Sequence, residues 1–191
     1  ITIGGAGKTP TVQAIAEICR KLNKKVAILS KGYGGKIAVP TLVNSKFHLS
    51  KDVGDEAKIH SLKFQTWISK NRFEATKLIE SDKRVDFIIM DDGLQNKSLK
   101  QDLRFLVFDG PTGIGNGRLL PSGPLREPFK DGINDVNAII IIGEDKNKLK
   151  EKIYNINPYI EILFAKLEPD PSIILSLVHK KIIAFAGIGI P

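Results

Sequence analysis

Apolar and polar positions along the chain alternate between two periods. Short apolar runs rich in β-branched residues at 26–30, 86–90, 103–108, 138–142, 160–164 and 182–186 read as strands, and residues 1–3 as the tail of another. Several are apolar at every position, as in Ala138-Ile-Ile-Ile-Ile142, which predicts a sheet covered on both faces. Between the runs the spacing turns helical. Residues 11–22 set Val12, Ile15, Cys19 and Leu22 on one stripe, with Gln13, Glu17, Arg20 and Lys21 elsewhere. Residues 73–80 and 146–154 also read as helices. Strand and helix alternate, so the expected class is α/β with a mainly parallel sheet. No internal repeat or low-complexity tract breaks this order. The stretch 110–128, rich in glycine and proline, is too long for a simple connector, and loops of that length are often functional.

Composition changes this picture little. At 191 residues, 42% hydrophobic, the chain has the size and apolar content of one ordinary domain, or of one domain plus part of another. A single cysteine, Cys19, excludes an internal disulfide framework. No apolar stretch reaches the roughly 18 residues of a membrane span, and no charged-then-apolar leader precedes residue 4. The chain opens on Ile1 inside an apolar run, its only methionine is Met90, and it closes directly after a strand-like run. It is therefore expected to be a piece cut at both ends. The net charge of +8 suits an anionic partner: nucleic acid, an anionic membrane face or a phosphorylated substrate. The lysines are scattered rather than blocked, which a soluble surface alone would also produce.

The sharpest local signal is Gly4-Gly-Ala-Gly-Lys-Thr9, set between an apolar strand end and an amphipathic helix. A phosphate-binding loop requires that context. Backbone N–H groups of Gly4, Gly5, Ala6 and Gly7 can turn toward phosphate oxygens, Lys8 can reach the β- and γ-phosphates of ATP, and the Thr9 hydroxyl can ligate Mg2+. Pro10 sits in the first helical turn, where a missing N–H is harmless. The one departure from the full pattern is Thr2, where its first glycine would fall. With this loop the expected fold sharpens to a P-loop NTPase-like three-layer α/β fold.

Three groups of charged residues are candidates beside it. Asp91 and Asp92 follow the run 87–90; a carboxylate at the C-terminal end of a buried parallel strand is where P-loop proteins hold Mg2+. An ordinary Asp-Gly turn would look the same. Asp55 and Glu56 open a helical stretch, where acidic residues in the first turn are stabilising in any case; a kinase also needs a carboxylate to orient or deprotonate the attacking hydroxyl. The residues alone leave these two readings open. Arg126 and Glu127 lie among three prolines in 119–128, a stiff segment that can present two charges or simply an ion pair. His48, His60 and His179 have no metal-ligand spacing and are expected to be structural or surface residues.

Taken in order, the segments Thr2-Ile-Gly-Gly-Ala-Gly-Lys-Thr-Pro10, Ser30-Lys-Gly-Tyr-Gly-Gly35, Gly54-Asp-Glu56, Asp91-Asp-Gly-Leu-Gln95, Gly115-Asn-Gly-Arg-Leu-Leu-Pro-Ser-Gly-Pro-Leu-Arg-Glu-Pro128 and Ala184-Phe-Ala-Gly-Ile-Gly189 resemble the tetraacyldisaccharide 4'-kinases, the lipid A kinases of Gram-negative bacteria. The resemblance covers the whole chain. It implies ATP-dependent phosphorylation of the 4'-hydroxyl of a tetraacyldisaccharide 1-phosphate in lipid A biosynthesis, at the cytoplasmic face of the inner membrane, with an anionic membrane surface and no nucleic acid as partner. It implies that Asp55 is the catalytic aspartate beside the phosphate-binding Lys8. It also implies that Asp91 and Asp92 are the metal site and Glu127 an acidic residue near Mg2+, with Glu56, Gln95 and Arg126 at other active-site positions. The kinase core would span residues 1–180, and 181–191 would open a C-terminal subdomain. A membrane-associating helix before the P-loop, and a histidine after 184–189 that partners the catalytic aspartate, would lie outside this sequence. Lys31 and Ala57 stand where the family usually has Arg and Pro.

Two other readings remain. A deviant-Walker partitioning or positioning ATPase would carry a lysine before the paired glycines, where this chain has Ile3. A non-catalytic remnant of the kinase would keep the fold without the chemistry.

Overall fold

A computed structural model describes residues 1–2, 4–82 and 84–183. The chain divides into two units, one formed by residues 8–102 and the other by residues 1–7 with 103–191.

The first unit opens with α1 (Lys8–Lys21) and continues through β1 (Val26–Ser30), β2 (Thr41–Leu42), α2 (Ser50–Val53), α3 (Asp55–Ser61), β3 (Gln65–Ile68), α4 (Arg72–Ser81) and β4 (Phe87–Met90). Its sheet runs β2-β3-β1-β4; β1 pairs in parallel with both β3 and β4, and the short β2 is antiparallel to β3. The alternation of a strand explains how both faces are filled. Ile28 points to one face and packs with Val12 and Ala16 of α1. Ala27 and Leu29 point to the other and pack with Ala75 and Ile79 of α4. Ile68 of β3 packs with Val53 and Ala57 on α2 and α3. Helices cover both faces of this sheet, as the fully apolar run at β1 requires.

α1 shows where the helical stripe ends. Val12 and Ala16 are buried and Ile15 and Cys19 half-buried, but Leu22 is 67% exposed. The helix stops at Lys21 because Asn23 takes a left-handed φ of 58°, with Lys24 N donating to Cys19 O (2.9 Å) and Asn23 N to Arg20 O (3.0 Å). That is a Schellman cap, and it ends the helix directly after Leu22, its C-cap residue.

The second unit contains β5 (Phe105–Asp109), α5 (Phe129–Asn134), β6 (Ala138–Ile142), α6 (Leu149–Tyr154), β7 (Glu161–Ala165) and α7 (Pro171–Leu177). Its parallel sheet runs β5-β6-β7. All five residues of β6 are buried, and Phe108 of β5 meets Phe129 of α5 edge to face, ring centroids 5.9 Å apart. The 110–128 segment is a succession of turns. Thr2 bridges Leu125 in antiparallel fashion, Arg126 N donates to Ile1 O (2.8 Å), and Asn116 Nδ2 donates to Ser122 O (2.8 Å).

The mixed α/β class with mainly parallel strands is as expected. The strands expected at 26–30, 86–90, 103–108, 138–142 and 160–164 are present within one or two residues; of the helices, 73–80 is matched within one residue, while that near 11–22 starts three residues earlier and that near 146–154 three residues later. β2, α2, β3, α5 and α7 were not expected. The expected strand at 182–186 and the segment 184–189 fall largely outside the described residues, as does Ile3. Among the described residues no helix is long and apolar enough to cross a membrane.

Candidate functional site

In residues 8–102 the ends of the parallel strands gather the charged candidates. Lys8 is the first residue of α1, followed by Thr9 and Pro10. Its ammonium lies 3.8 Å from the carboxylate of Asp92, in the turn that leaves β4. With both side chains partly exposed, 25% and 38%, such a pair adds only about 0–1 kcal/mol to stability. Its significance is chemical: a cation at a helix N-terminus beside a carboxylate, both open to a ligand.

Asp91 and Asp92 diverge. Asp91 N donates to Leu29 O (3.0 Å), which carries the β1–β4 ladder one residue further, and its side chain is 1% exposed. Asp91 Oδ2 lies 2.9 Å from Nε2 of His60, which is itself fully buried on α3. Asp92 takes a left-handed φ of 50° and turns outward toward Lys8. Arg72, the first residue of α4 and 6% exposed, donates from one terminal nitrogen to Asp91 O (3.0 Å) and Asp92 O (3.1 Å). Burial pulls the Arg72 guanidinium below its ordinary pKa, opposed by Asp92 and then Asp91.

Asp55 and Glu56 form the first turn of α3, both with exposed side chains. What sets them there is Gly54. Its φ of 86° and ψ of 153° belong to a region that glycine alone occupies readily, and a Cβ would collide with Tyr33 O. Gly35 meets the same junction from the other side, where a Cβ would stand 2.7 Å from Asp52 O and Gly54 N. The motif Ser30-Lys-Gly-Tyr-Gly-Gly35 thus lets one backbone lie directly on another and fixes where α3 begins. The Glu56 carboxyl is raised above its ordinary pKa, first by burial of its inner side and then by Asp91 and Asp92, while Lys8 and His60 pull the other way. Glu56 therefore shares an electrostatic environment with Lys8, His60, Asp91 and Asp92. Gln95, in the loop after β4, is exposed.

In the other unit Gly4 and Gly5 are exposed, Ala6 is buried, and Ala6 N donates to Gly4 O (2.9 Å). Gly4 and Gly7 have φ of 101° and 77°, and a Cβ on Gly7 would run into Ile142 Cδ1 at the end of β6. The glycines are used where the loop needs left-handed backbone and close packing on the sheet. Arg126 is exposed and Glu127 half-buried, both following the Leu125 bridge to Thr2. Among the described residues no group of three His, Cys, Asp or Glu side chains has metal-site geometry.

Sequence reasoning did not single out Arg72, and it treated His60 only as a structural or surface residue. A signal existed for His60: it continues the spacing of Val53 and Ala57 on the buried face of the helical stretch, where an apolar residue belongs. Likewise Arg72 falls in step with Ala75 and Ile79. His48 is half-buried and His179 exposed.

A family model described as tetraacyldisaccharide-1-P 4'-kinase matches residues 1–191. Relatives named tetraacyldisaccharide 4'-kinase include one from Rhodospirillum rubrum, 41% identical over 192 residues (100% of this chain, 57% of the relative). Another, from Gluconobacter oxydans, is 41% identical over 191 residues (100% and 57%), and one from Bradyrhizobium sp. strain BTAi1 is 38% identical over 189 residues (99% and 54%). The chain thus spans about half the length of the curated relatives it matches. The crystal structure of the "apo" form LpxK from Aquifex aeolicus in complex with ATP shares the fold, with a TM-score of 0.65 and 21% identity over 90% of this chain and 72% of that one. With a family match across its full length and relatives this similar, the chain belongs to the tetraacyldisaccharide-1-P 4'-kinase family.

Proposed function

We propose that the protein carrying this chain transfers the γ-phosphoryl group of ATP to the 4'-hydroxyl of a tetraacyldisaccharide 1-phosphate, a step of lipid A biosynthesis, at the cytoplasmic face of the bacterial inner membrane. The observation that carries the reading is the Lys8–Asp92 pair, an ammonium at the head of α1 and a carboxylate at the end of a parallel strand, 3.8 Å apart. Family membership and the fold shared with an ATP-bound relative support it. The kinase core takes in residues 1–180, with 181–191 opening a further subdomain. The anionic membrane surface and the lipid A precursor are the partners, and no nucleic acid is.

Backbone N–H groups of Gly4, Gly5, Ala6 and Gly7 bind phosphate oxygens, Pro10 pre-sets the helix entry, and Lys8 neutralises charge on the transferring group. Thr9, Asp91, Asp92 and Glu127 would supply the metal's oxygen donors, which are of the hard type that suits Mg2+. Asp91 Oδ1, buried without a partner among the described residues, is one more oxygen at the turn. When bound, Mg2+ neutralises developing negative charge on the phosphoryl oxygens. Asp55 takes the proton of the sugar hydroxyl as its oxygen bonds to γ-phosphorus and the bond to the ADP oxygen breaks. Exposed and unbraced by metal, Asp55 is better placed for this than Asp92. Glu56, Gln95 and Arg126 orient the substrates around it.

The test pairs two variants in the intact enzyme. Lys8→Ala is expected to weaken Mg·ATP binding in calorimetric titration. Asp55→Ala is expected to leave ATP affinity near normal and to cut transfer to the disaccharide lipid by about 10²–10⁴. Equal ATP affinities for wild type and Lys8→Ala would sink the phosphate-loop assignment; near-normal turnover in Asp55→Ala would move the base elsewhere.

A further inference from the structure

His60 takes no part in the transfer chemistry, yet α3 carries it into the middle of the charged cluster, 0% exposed. A carboxylate can only accept, so His60 Nε2 bears the hydrogen it shares with Asp91 Oδ2 at 2.9 Å. The bond joins the helix that begins with Asp55 to the turn that carries Asp92. The same turn is held by Asp91 N in the ladder and by Arg72 on two successive carbonyls. Asp92 takes a φ of 50°, a left-handed conformation that aspartate adopts more readily than most non-glycine residues, and these contacts hold it there. Such backbone persists where its surroundings over-determine it.

As a device for stability the pair is poor. His60 Nδ1 and Asp91 Oδ1 are buried with no hydrogen-bond partner among the described residues, and each unsatisfied buried polar atom costs about 1–3 kcal/mol. An apolar pair of similar shape would hold α3 to β4 at least as well. What an apolar pair could not do is orient a carboxylate.

We propose that His60 is a positioning residue: by holding the Asp91 carboxylate inward, it sets the Asp91-Asp92 turn so that Asp92 faces Lys8 and the phosphate-bound cation, and it fixes that turn relative to the helix bearing Asp55. The inference rests on the function proposed above and extends it from the residues that meet substrate to one that aims them. Asp91 is then the anchored carboxylate and Asp92 the presented one.

The experiment uses the full chain with His60→Leu, which keeps apolar volume and removes the donor, and His60→Gln, which keeps an N–H at comparable reach. A third variant, His60→Leu with Asp91→Asn, also removes the unpaired charge. Mg·ATP affinity is read by calorimetry, backbone protection of residues 91–96 by hydrogen exchange, and folding by thermal melting. His60→Leu is expected to weaken Mg·ATP binding about 10–100-fold and to speed exchange across 91–96. His60→Gln is expected to stay near wild type in both. The double variant should regain the melting temperature without regaining affinity or protection. The inference is overturned if a folded His60→Leu binds and exchanges like wild type, or if the double variant recovers affinity together with stability. If His60→Leu does not fold, His60→Gln and the double variant decide in the same terms. Wild-type chain that fails to bind Mg·ATP would count against the proposed function instead, and exchange at 91–96 would still judge the role of His60.

Discussion

β1 in residues 8–102 and β6 in residues 103–183 are both five-residue strands with parallel partners on either side. Yet they sit in different company. β6 is Ala-Ile-Ile-Ile-Ile, and in its unit the only buried polar residue among those described is Thr2. Around β1 the buried residues include Ser30, Thr66, Ser69, His60, Arg72 and Asp91. Burying a polar group is favourable only when it is hydrogen-bonded, and burying a charge only when it is also paired. All six are hydrogen-bonded, and the unmet cost falls on two atoms, His60 Nδ1 and Asp91 Oδ1, which have no partner among the described residues. The side chains of the apolar ladder are held by packing alone, whereas the polar one also uses side-chain hydrogen bonds to fix the turn that carries Asp91 and Asp92.

The largest effect separating the two should come from a cavity in the apolar ladder. Ile141→Ala removes a fully buried side chain from β6 and is expected to cost about 2–5 kcal/mol, read as a lower midpoint in urea. A change below that range would mean the ladder is looser than its burial implies. A smaller effect is expected from Gly54→Ala, which forces a Cβ against Tyr33 O at a φ of 86°. The strain alone is worth about 1–3 kcal/mol. Because Asp55 follows directly, phosphoryl transfer should fall further than ATP affinity. A variant losing stability but not transfer would show that the glycine junction supports the fold without aiming the site.

The smallest effect concerns Glu56. Its carboxyl is raised above the ordinary 4.5 by burial, then by Asp91 and Asp92, so the folded state keeps its proton longer than the unfolded state does. That contribution to stability is complete below about pH 4.5 and is lost as pH rises through the folded-state pKa. Glu56→Gln cannot lose a proton, so its melting temperature should gain on wild type as pH rises from about 4.5. Parallel melting curves across that window would mean that the polar cluster does not press on Glu56. Solvent at the exposed side of this residue keeps the effect modest.

What the sequence determined by itself was whatever depends on neighbours in the chain. The apolar runs announced β1, β4, β5, β6 and β7, the 3.6-residue spacing announced α1 and α4, and Gly4-Gly-Ala-Gly-Lys-Thr9 announced a loop feeding a helix N-terminus. The residue types at 54–56, 91–92 and 126–127 marked positions able to carry phosphoryl chemistry, and six motifs in order marked the family. What only the tertiary structure decided lay in long-range pairing. β3 reads Gln-Thr-Trp-Ile, without an apolar run or clean alternation, and is a strand because β1 and β2 hydrogen-bond it from both sides. Two adjacent aspartates look equivalent in a list of residues; one went inward to a histidine 31 positions away, and the other turned outward to Lys8. Gly32 to Gly35 and Gly54 looked like separate motifs and proved to be two sides of one backbone contact. Local sequence sets which conformations a segment can hold, but which carboxylate is buried depends on what the rest of the chain brings to meet it.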